Sequence, residues 1–202
     1  MTEALVIMRS LLNGDKLTYE GSYYQTDRAK LYSPPIGPVP IWMAAGGPKS
    51  ATLAAQHADG IITSVKVPAE TEERVVEPSR HAAAQLGKMA PPILATRWTV
   101  SADNPDDAWT ALGAWRGLRA PGRLEAVDPA VLRERADALP REDVLSRYTM
   151  VSSPDDYVAA YAPLITDVGA DIVTIQTTSL DQVSTIEMLG RAVLPRLRAL
   201  SD

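Results

Sequence analysis

The stretch Pro40-Ile41-Trp42-Met43-Ala44-Ala45-Gly46-Gly47-Pro48-Lys49-Ser50 is typical of a buried strand that stops at two glycines and continues as a helix. Apolar residues on both faces of the strand favour a parallel strand that is covered by helices. Pro48 suits the first helical position, where a missing N–H group costs nothing. Because the free amides of a first helical turn attract anions, we expect a phosphate at the carboxyl end of this strand. Taken alone, the glycine pair also fits an ordinary tight turn.

The composition excludes several classes of protein. The 202 residues are 46% hydrophobic, which is enough for the core of one domain over residues 1–202. The net charge of −5 argues against a nucleic-acid partner. With no cysteine and two histidines, we expect neither disulfides nor a metal site. No apolar run approaches the roughly 20 residues of a membrane span, and the N-terminus lacks the features of a secretory signal. The sequence therefore predicts a cytoplasmic protein with no membrane contact.

Predicted strands and helices alternate along the chain. An amphipathic helix that ends near residue 12 and a hairpin over residues 17–24 come first. The predicted strands cover 40–44, 60–63, 93–100 and 171–176, and the helices that follow them cover 48–57, 69–86, 105–115 and 180–200. A helical insertion is predicted at about 116–148, with short helices at 129–138 and 141–146. Another helix begins at Ser153, which can form a capping box with Asp156.

This alternation predicts an α/β protein with a parallel sheet and right-handed crossovers. Two architectures fit the pattern. One is a small open doubly wound sheet, and the other is part of an eight-stranded (β/α) barrel. A complete barrel takes about 250 residues, so a chain of this length with such an insertion is too short for one.

Polar residues that could bind a ligand follow the second predicted strand. In parallel α/β proteins ligands sit at the carboxyl ends of the strands, so Thr63 and Lys66 could hold a phosphate there. A solvated loop with an ordinary lysine is the alternative. Arg147 lies in an apolar stretch, and a semi-buried arginine needs a carboxylate or a phosphate partner. A structural salt bridge is the alternative for this residue.

No catalytic group emerges from the residues themselves. The aspartates around Pro105 and after Pro154 are paired, as acid/base chemistry requires, but they stand where helix caps belong. We interpret both pairs as caps. No Ser/His/Asp grouping and no nucleotide-binding P-loop is present.

Several segments together resemble a known family. The Ala-Ala-Gly-Gly-Pro turn, the Thr-x-x-Lys element after the second strand and an Ala-Asp-Ala-Leu-Pro element carry the likeness. The matching segments are Leu12–Asp15, Glu20–Tyr24, Val39–Pro48, Ala58–Lys66, Ala136–Arg147 and Val193–Leu197. In these segments the chain resembles the glucose-6-phosphate dehydrogenases that depend on the deazaflavin coenzyme F-420 (8-hydroxy-5-deazaflavin, F420), within the luciferase-like superfamily of flavin and deazaflavin oxidoreductases. The resemblance implies the C-terminal part of a (β/α)8 TIM barrel, about four βα units plus the insertion.

The resemblance also implies roles for particular residues. Gly46, Gly47, Lys49 and Ser50 would bind the phosphate tail of the coenzyme. The phosphate of a sugar phosphate such as glucose 6-phosphate would be bound by Thr63, Lys66, Arg123 and Arg147. Arg123 stands where the family has a lysine, which keeps the charge but changes the reach and the geometry. The family's acid/base residues come from the first four strands and match no segment here, so no catalytic residue is assigned.

Three functions remain open on this basis. The first is a dehydrogenase that moves a hydride from a sugar phosphate or a related alcohol to F420. The second is a luciferase-like monooxygenase that uses FMN, since the glycine turn suits either cofactor. The third is a non-catalytic phosphate-binding half barrel. For the half barrel we expect a homodimer, or association with an N-terminal half, because open strand edges need cover.

Overall fold

The computed structural model describes residues 1–200 and has an α/β fold with parallel strands and helices. The chain forms two compact units. Unit 1 comprises Met1–Ala95 with Asp167–Ile172, and unit 2 comprises Thr96–Thr166 with the chain from Val173 onward. The expectation of a single domain stays a prediction, whereas the predicted α/β class is confirmed.

Unit 1 contains an antiparallel hairpin and a parallel strand pair with their helices. In the hairpin β1 pairs with β2, and in the parallel pair Trp42 of β3 lies opposite Gly60 of β4. The elements are α1 Thr2–Leu12, β1 Leu17–Glu20, β2 Gln25–Ala29, β3 Trp42–Ala44, α2 Pro48–His57, β4 Gly60–Ser64, α3 Pro68–Thr71, a π-helical segment Glu72–Val76 and α4 Glu77–Gln85.

Small residues let the elements of unit 1 approach closely. A Cβ atom on Gly60 would lie 2.4 Å from the indole ring of Trp42, so only glycine fits beside that ring. Ala55 of α2 packs with Ala82 and Ala83 of α4 in one buried cluster. Because alanine side chains are short, α2 and α4 can pack close together without leaving a cavity between them.

Unit 2 is built around β5, Ile93–Ser101, whose first residues belong to unit 1. Thr99 of β5 lies opposite Thr149 of β6 in a parallel pair, and β7 also pairs with β5. The remaining elements are α5 Pro105–Ala111, a 3₁₀ turn Arg116–Arg119, α6 Pro129–Asp137, α7 Arg141–Leu145, β6 Thr149–Val151, α8 Pro154–Thr166, β7 Ile172–Ser179, α9 Gln182–Met188, a π-helical segment Leu189–Val193 and α10 Leu194–Arg198.

The predicted strands and helices are present, apart from shifts of up to three residues at their ends and the following larger differences. The second hairpin strand begins at Gln25, after the predicted position. Helix α5 ends at Ala111, before the predicted end at residue 115. The short strand β6 was not predicted. The helices predicted at 69–86 and 180–200 each contain a π-helical segment that ends two residues before a proline, Pro78 or Pro195.

The prolines explain both π-helical segments. A proline inside a helix lacks its N–H group and crowds the carbonyl four residues earlier, and a wider turn relieves that contact. In each case the residue before the proline bonds the carbonyl five residues back, Glu77 N to Glu72 O and Leu194 N to Leu189 O.

No helix within residues 1–200 is long and apolar enough to cross a membrane. The cytoplasmic location expected from the sequence stays a prediction.

Candidate functional site

The turn after β3 forms the first wall of the site. Ala45 is buried and its amide bonds the carbonyl of Ile62 at 2.9 Å, which ties the turn to β4. Helix α2 begins at Pro48, as predicted. The carbonyl of Gly47 accepts bonds from the Ala51 amide at 3.0 Å and from the Ser50 hydroxyl at 2.9 Å. The Ser50 hydroxyl therefore orders the start of the helix, and Lys49 is exposed.

The two glycines of this turn leave open space. A Cβ atom on Gly46 would meet nothing within 4 Å, and one on Gly47 would meet only Arg74 Nη2, at 3.8 Å. Neither glycine has a positive φ, and the φ of −171° at Gly47 is extended backbone that any residue adopts. The protein itself therefore does not require glycine here. In this open space beside Gly46, which we call the cradle, a bound phosphate could approach the backbone.

The loop after β4 forms the second wall. Thr63 is only 3% exposed, while Lys66 is exposed. Thr63, Lys66 and Gly46 line one cavity of about 100 Å³. This cavity has room for one oxyanion group. The sequence assigned Gly46 to the coenzyme and Thr63 with Lys66 to the substrate, whereas the structure places all three around the same cavity.

Arg74 is a further lining residue, and the sequence analysis missed it. Its guanidinium lies beside Gly47, and it forms no ion pair with any residue from 1 to 200. Arg74 stands in the π-helical segment Glu72–Val76, a kind of turn that often marks functional sites. Arg74 therefore brings to the cavity a positive charge that no ion pair within residues 1–200 balances, and Lys66 and Glu70 line the same cavity. The cavity therefore has the charge that an anion requires.

Arg123 and Arg147, the other two predicted phosphate contacts, belong to unit 2. Both side chains are exposed, and neither forms an ion pair within the described chain. The expected semi-burial of Arg147 was wrong, because the neighbouring Tyr148 takes the buried position, at 6% exposure. Their binding of a phosphate stays a prediction.

The paired aspartates have structural roles. The Asp156 carboxylate accepts bonds from the backbone amides of Ser152 and Ser153, which lower its pKa, and the Ser153 hydroxyl accepts from the Asp156 amide at 3.2 Å. This is the predicted capping box. At the start of α5 the cap is Asn104 and not an aspartate. A carboxylate with a lowered pKa is a poor proton acceptor near neutral pH, so Asp156 does not suit acid/base work.

No group of three or more metal-ligating side chains that could hold a metal ion occurs within residues 1–200. The groups at the cavity are two cations, hydroxyls and one carboxylate. This set suits an oxyanion.

Comparison with known proteins identifies the class of the chain. Residues 1–171 match the luciferase-like monooxygenase family, and the chain belongs to that family. The solved structure of an F420-dependent secondary alcohol dehydrogenase, in complex with an F420-acetone adduct, superposes with a TM-score of 0.78 at 25% identity. The superposition covers 98% of this chain and 61% of the dehydrogenase chain. The coenzyme F420-dependent tetrahydromethanopterin reductase from Methanopyrus kandleri shares the fold, with a TM-score of 0.69 at 20% identity over 97% of this chain and 63% of that chain.

Within that family the chain resembles F420-dependent dehydrogenases. It is 33% identical to the F420-dependent glucose-6-phosphate dehydrogenase 1 of Rhodococcus jostii, over 100% of this chain and 61% of the relative. The chain thus spans about three fifths of the length of that curated relative. The likeness to F420-dependent glucose-6-phosphate dehydrogenases and to luciferase-like barrels confirms the resemblance found from the sequence.

Proposed function

We propose that this chain is the phosphate-binding part of an F420-dependent oxidoreductase. The activity would be that of a dehydrogenase, in which a hydride passes from the CH–OH group of a sugar phosphate such as glucose 6-phosphate, or of a related alcohol, to the coenzyme. The observation that carries this proposal is the open cradle beside Gly46, with Lys66 and Arg74 at the same cavity. F420, when bound, supplies the hydride acceptor.

In this proposal the residues around the cavity bind one anion. The Gly46 and Gly47 backbone lies at the start of α2, where free amides point outward and can donate to phosphate oxygens. Arg74 and Lys66 would add charge-assisted bonds, and the buried Thr63 would add its hydroxyl. Ser50 would hold the turn in place through Gly47. Lys49, exposed at the same turn, would contact the anion from the solvent side.

Two arrangements fit a cavity of this size. In the first, the phosphate of F420 occupies it, as the position of Gly46 favours. In the second, the phosphate of the substrate occupies it, as the family roles of Thr63 and Lys66 imply. We favour the first, because Arg74 lies 3.8 Å from the position of a Cβ on Gly47 and connects the cavity to the glycine turn. Arg123 and Arg147 are then left to the substrate.

An FMN-dependent monooxygenase is the second candidate. The family description that matches the chain is that of a monooxygenase, and the phosphate of FMN suits the same cradle. A non-catalytic phosphate-binding protein that works with a partner is the third.

A fluorescence titration of the purified chain with oxidised F420, with FMN run in parallel, tests the proposal. Selective binding of F420 that weakens in Arg74→Gln would support it. The control is Lys30→Gln, which removes a positive charge from an exposed residue of the same unit outside the cavity. Preferred binding of FMN would favour the monooxygenase. Binding of neither cofactor would contradict both enzymatic functions for this chain.

A further inference from the structure

Among residues 1–200, unit 2 contains two buried polar atoms that lack a hydrogen-bond partner and that belong to touching side chains. Tyr148 is 6% exposed, and its hydroxyl bonds no group of the described residues. The guanidinium carbon of Arg119 lies 5.5 Å from the centre of the Tyr148 ring, and the buried Nε of Arg119 also has no partner in that part of the chain. Buried polar groups are nearly always paired, so two such atoms in one contact require an explanation.

The chemistry of these two groups defines the kind of hydrogen-bond partner that they lack. The Nε–H group of arginine can only donate, and a tyrosine hydroxyl can donate as well. A partner that satisfies both is therefore an acceptor. Arg119 also carries a full charge that no carboxylate within residues 1–200 balances in an ion pair. A half-buried arginine without a carboxylate calls for an anion.

Arg116, one turn earlier, shows what a structural arginine looks like in the same segment. It is stacked 4.0 Å over the ring of Trp109, and its Nη2 bonds the Asp137 carboxylate at 2.7 Å. The Nε of Arg116 also has no hydrogen-bond partner within the described residues, but the Asp137 carboxylate balances the charge of Arg116. Arg119 has a similar contact with an aromatic ring, that of Tyr148, but it forms no ion pair with a carboxylate within residues 1–200.

The surroundings of Tyr148 are aromatic. Trp98 lies 5.0 Å from Trp115 and 6.2 Å from Tyr148, between ring centres. Trp115 and Tyr148 are also 6.2 Å apart. Trp98 and Trp115 pack against the buried cluster that contains Tyr148, so they hold the Tyr148 ring, and with it the hydroxyl, in a fixed place.

We propose that Arg119 and Tyr148 form an oxyanion-binding site in unit 2, which takes the phosphate monoester or carboxylate group of a small molecule. Arg119 supplies the charge and two donor groups, and Tyr148 supplies the hydroxyl. The assignment of this anion to the substrate rests on the proposed function, whereas the binding itself does not depend on a coenzyme. Under this assignment the half-buried Arg119, and not the exposed Arg123, is the main anion contact of the segment that precedes α6.

The test is anion binding to the full chain without any coenzyme. Glucose 6-phosphate and inorganic phosphate are titrated against gluconate, with tryptophan fluorescence and calorimetry as readouts. The fluorescence reports on the site because Trp98 and Trp115 lie beside Tyr148. Preference for glucose 6-phosphate would identify a phosphate site, and preference for gluconate a carboxylate site. Either result supports an oxyanion site, and no saturable binding of any probe would overturn it.

Variants locate the binding. Arg119→Gln should weaken it roughly tenfold to hundredfold, as the loss of charge-assisted bonds implies. Arg133→Gln removes the same charge from an exposed position on α6 and should change it less than twofold. Equal weakening by both variants would overturn the proposal, because it would indicate a general effect of net charge.

Tyr148→Phe distinguishes a binding role from a structural one. It removes only the hydroxyl, which bonds no group of residues 1–200, so the melting temperature should stay equal or rise while anion binding weakens. A fall in melting temperature with unchanged binding would contradict the proposal. Repeating the titration in Arg74→Gln separates this site from the cavity of unit 1. Binding that survives Arg74→Gln and is lost in Arg119→Gln belongs to unit 2, whether or not F420 binds.

Discussion

Replacing Gly46 by alanine should separate the requirements of the fold from those of the ligand. A Cβ at this position meets nothing within 4 Å, and the φ of Gly46 is not positive, so the protein accommodates alanine without strain. At such a position alanine stabilises a protein by about 0.4–1 kcal/mol, because it restricts the unfolded chain. For a chain of this length that corresponds to a rise of roughly 1–4 °C in melting temperature.

The same methyl group should weaken coenzyme binding. It takes up open space at a residue that lines the cavity of about 100 Å³, where the proposed phosphate would lie. Forcing an additional carbon into a filled space costs about 1–3 kcal/mol, which is a roughly 5- to 150-fold loss of affinity. Gly46→Ala is therefore expected to be more stable than the parent chain and to bind F420 more weakly.

The assays are thermal unfolding and the F420 fluorescence titration, run on the same preparations. Gly37→Ala is the matched control. Its Cβ also meets nothing within 4 Å and its φ is not positive, but it does not line the cavity. Unchanged F420 affinity in Gly46→Ala would refute the cradle as the phosphate site. A loss of stability in Gly46→Ala would refute the claim that the space beside it is free.

Three further variants test other contacts of unit 1. Arg74→Gln should weaken the binding of F420 by about tenfold in the titration, because one charge-assisted bond to the phosphate is lost. Gly60→Ala should lower the free energy of unfolding by about 1–3 kcal/mol in a denaturant titration, since its Cβ would lie 2.4 Å from the Trp42 ring. Burial raises the pKa of Asp59, but its bond with Arg9 and one with a backbone amide outweigh burial and hold that pKa below the ordinary 3.8. The contribution of the ionised Asp59 to stability should therefore be complete above pH 3.8 and be lost as the pH falls through the lowered pKa. In Asp59→Asn the free energy of unfolding should not show this dependence on pH.

The sequence predicted the glycine turn because every signal for it is local. An apolar strand, two glycines and a proline at the first helical position lie within eleven residues, and α2 begins at Pro48 as expected. The strand β6 was missed for the opposite reason. It has three residues and exists through pairing with β5, about 50 positions earlier, which no local pattern reveals.

The candidate site was only partly predictable. Thr63 and Lys66 were found because they follow a strand directly, and strand ends hold ligands in α/β proteins. Arg74 was missed because a regular helix was assumed there, and a π-helical turn changes where a side chain points. Arg147 was expected to be semi-buried because its neighbours are apolar, but burial is decided residue by residue, and Tyr148 occupies the inner position.

The π-helical segment before Pro78 also bears on how this helix tolerates insertions and deletions. A π turn amounts to one residue added to an α-helix, so it advances the phase of every later residue in that helix by about 100°. Deleting one residue between Thr71 and Glu77 would restore an ordinary helix and keep its length nearly unchanged, yet it would turn Arg74 away from Gly47 or turn Ala82 and Ala83 away from α2. The helix therefore holds two faces in register, one toward Gly47 and one toward α2, and a single extra residue allows both contacts.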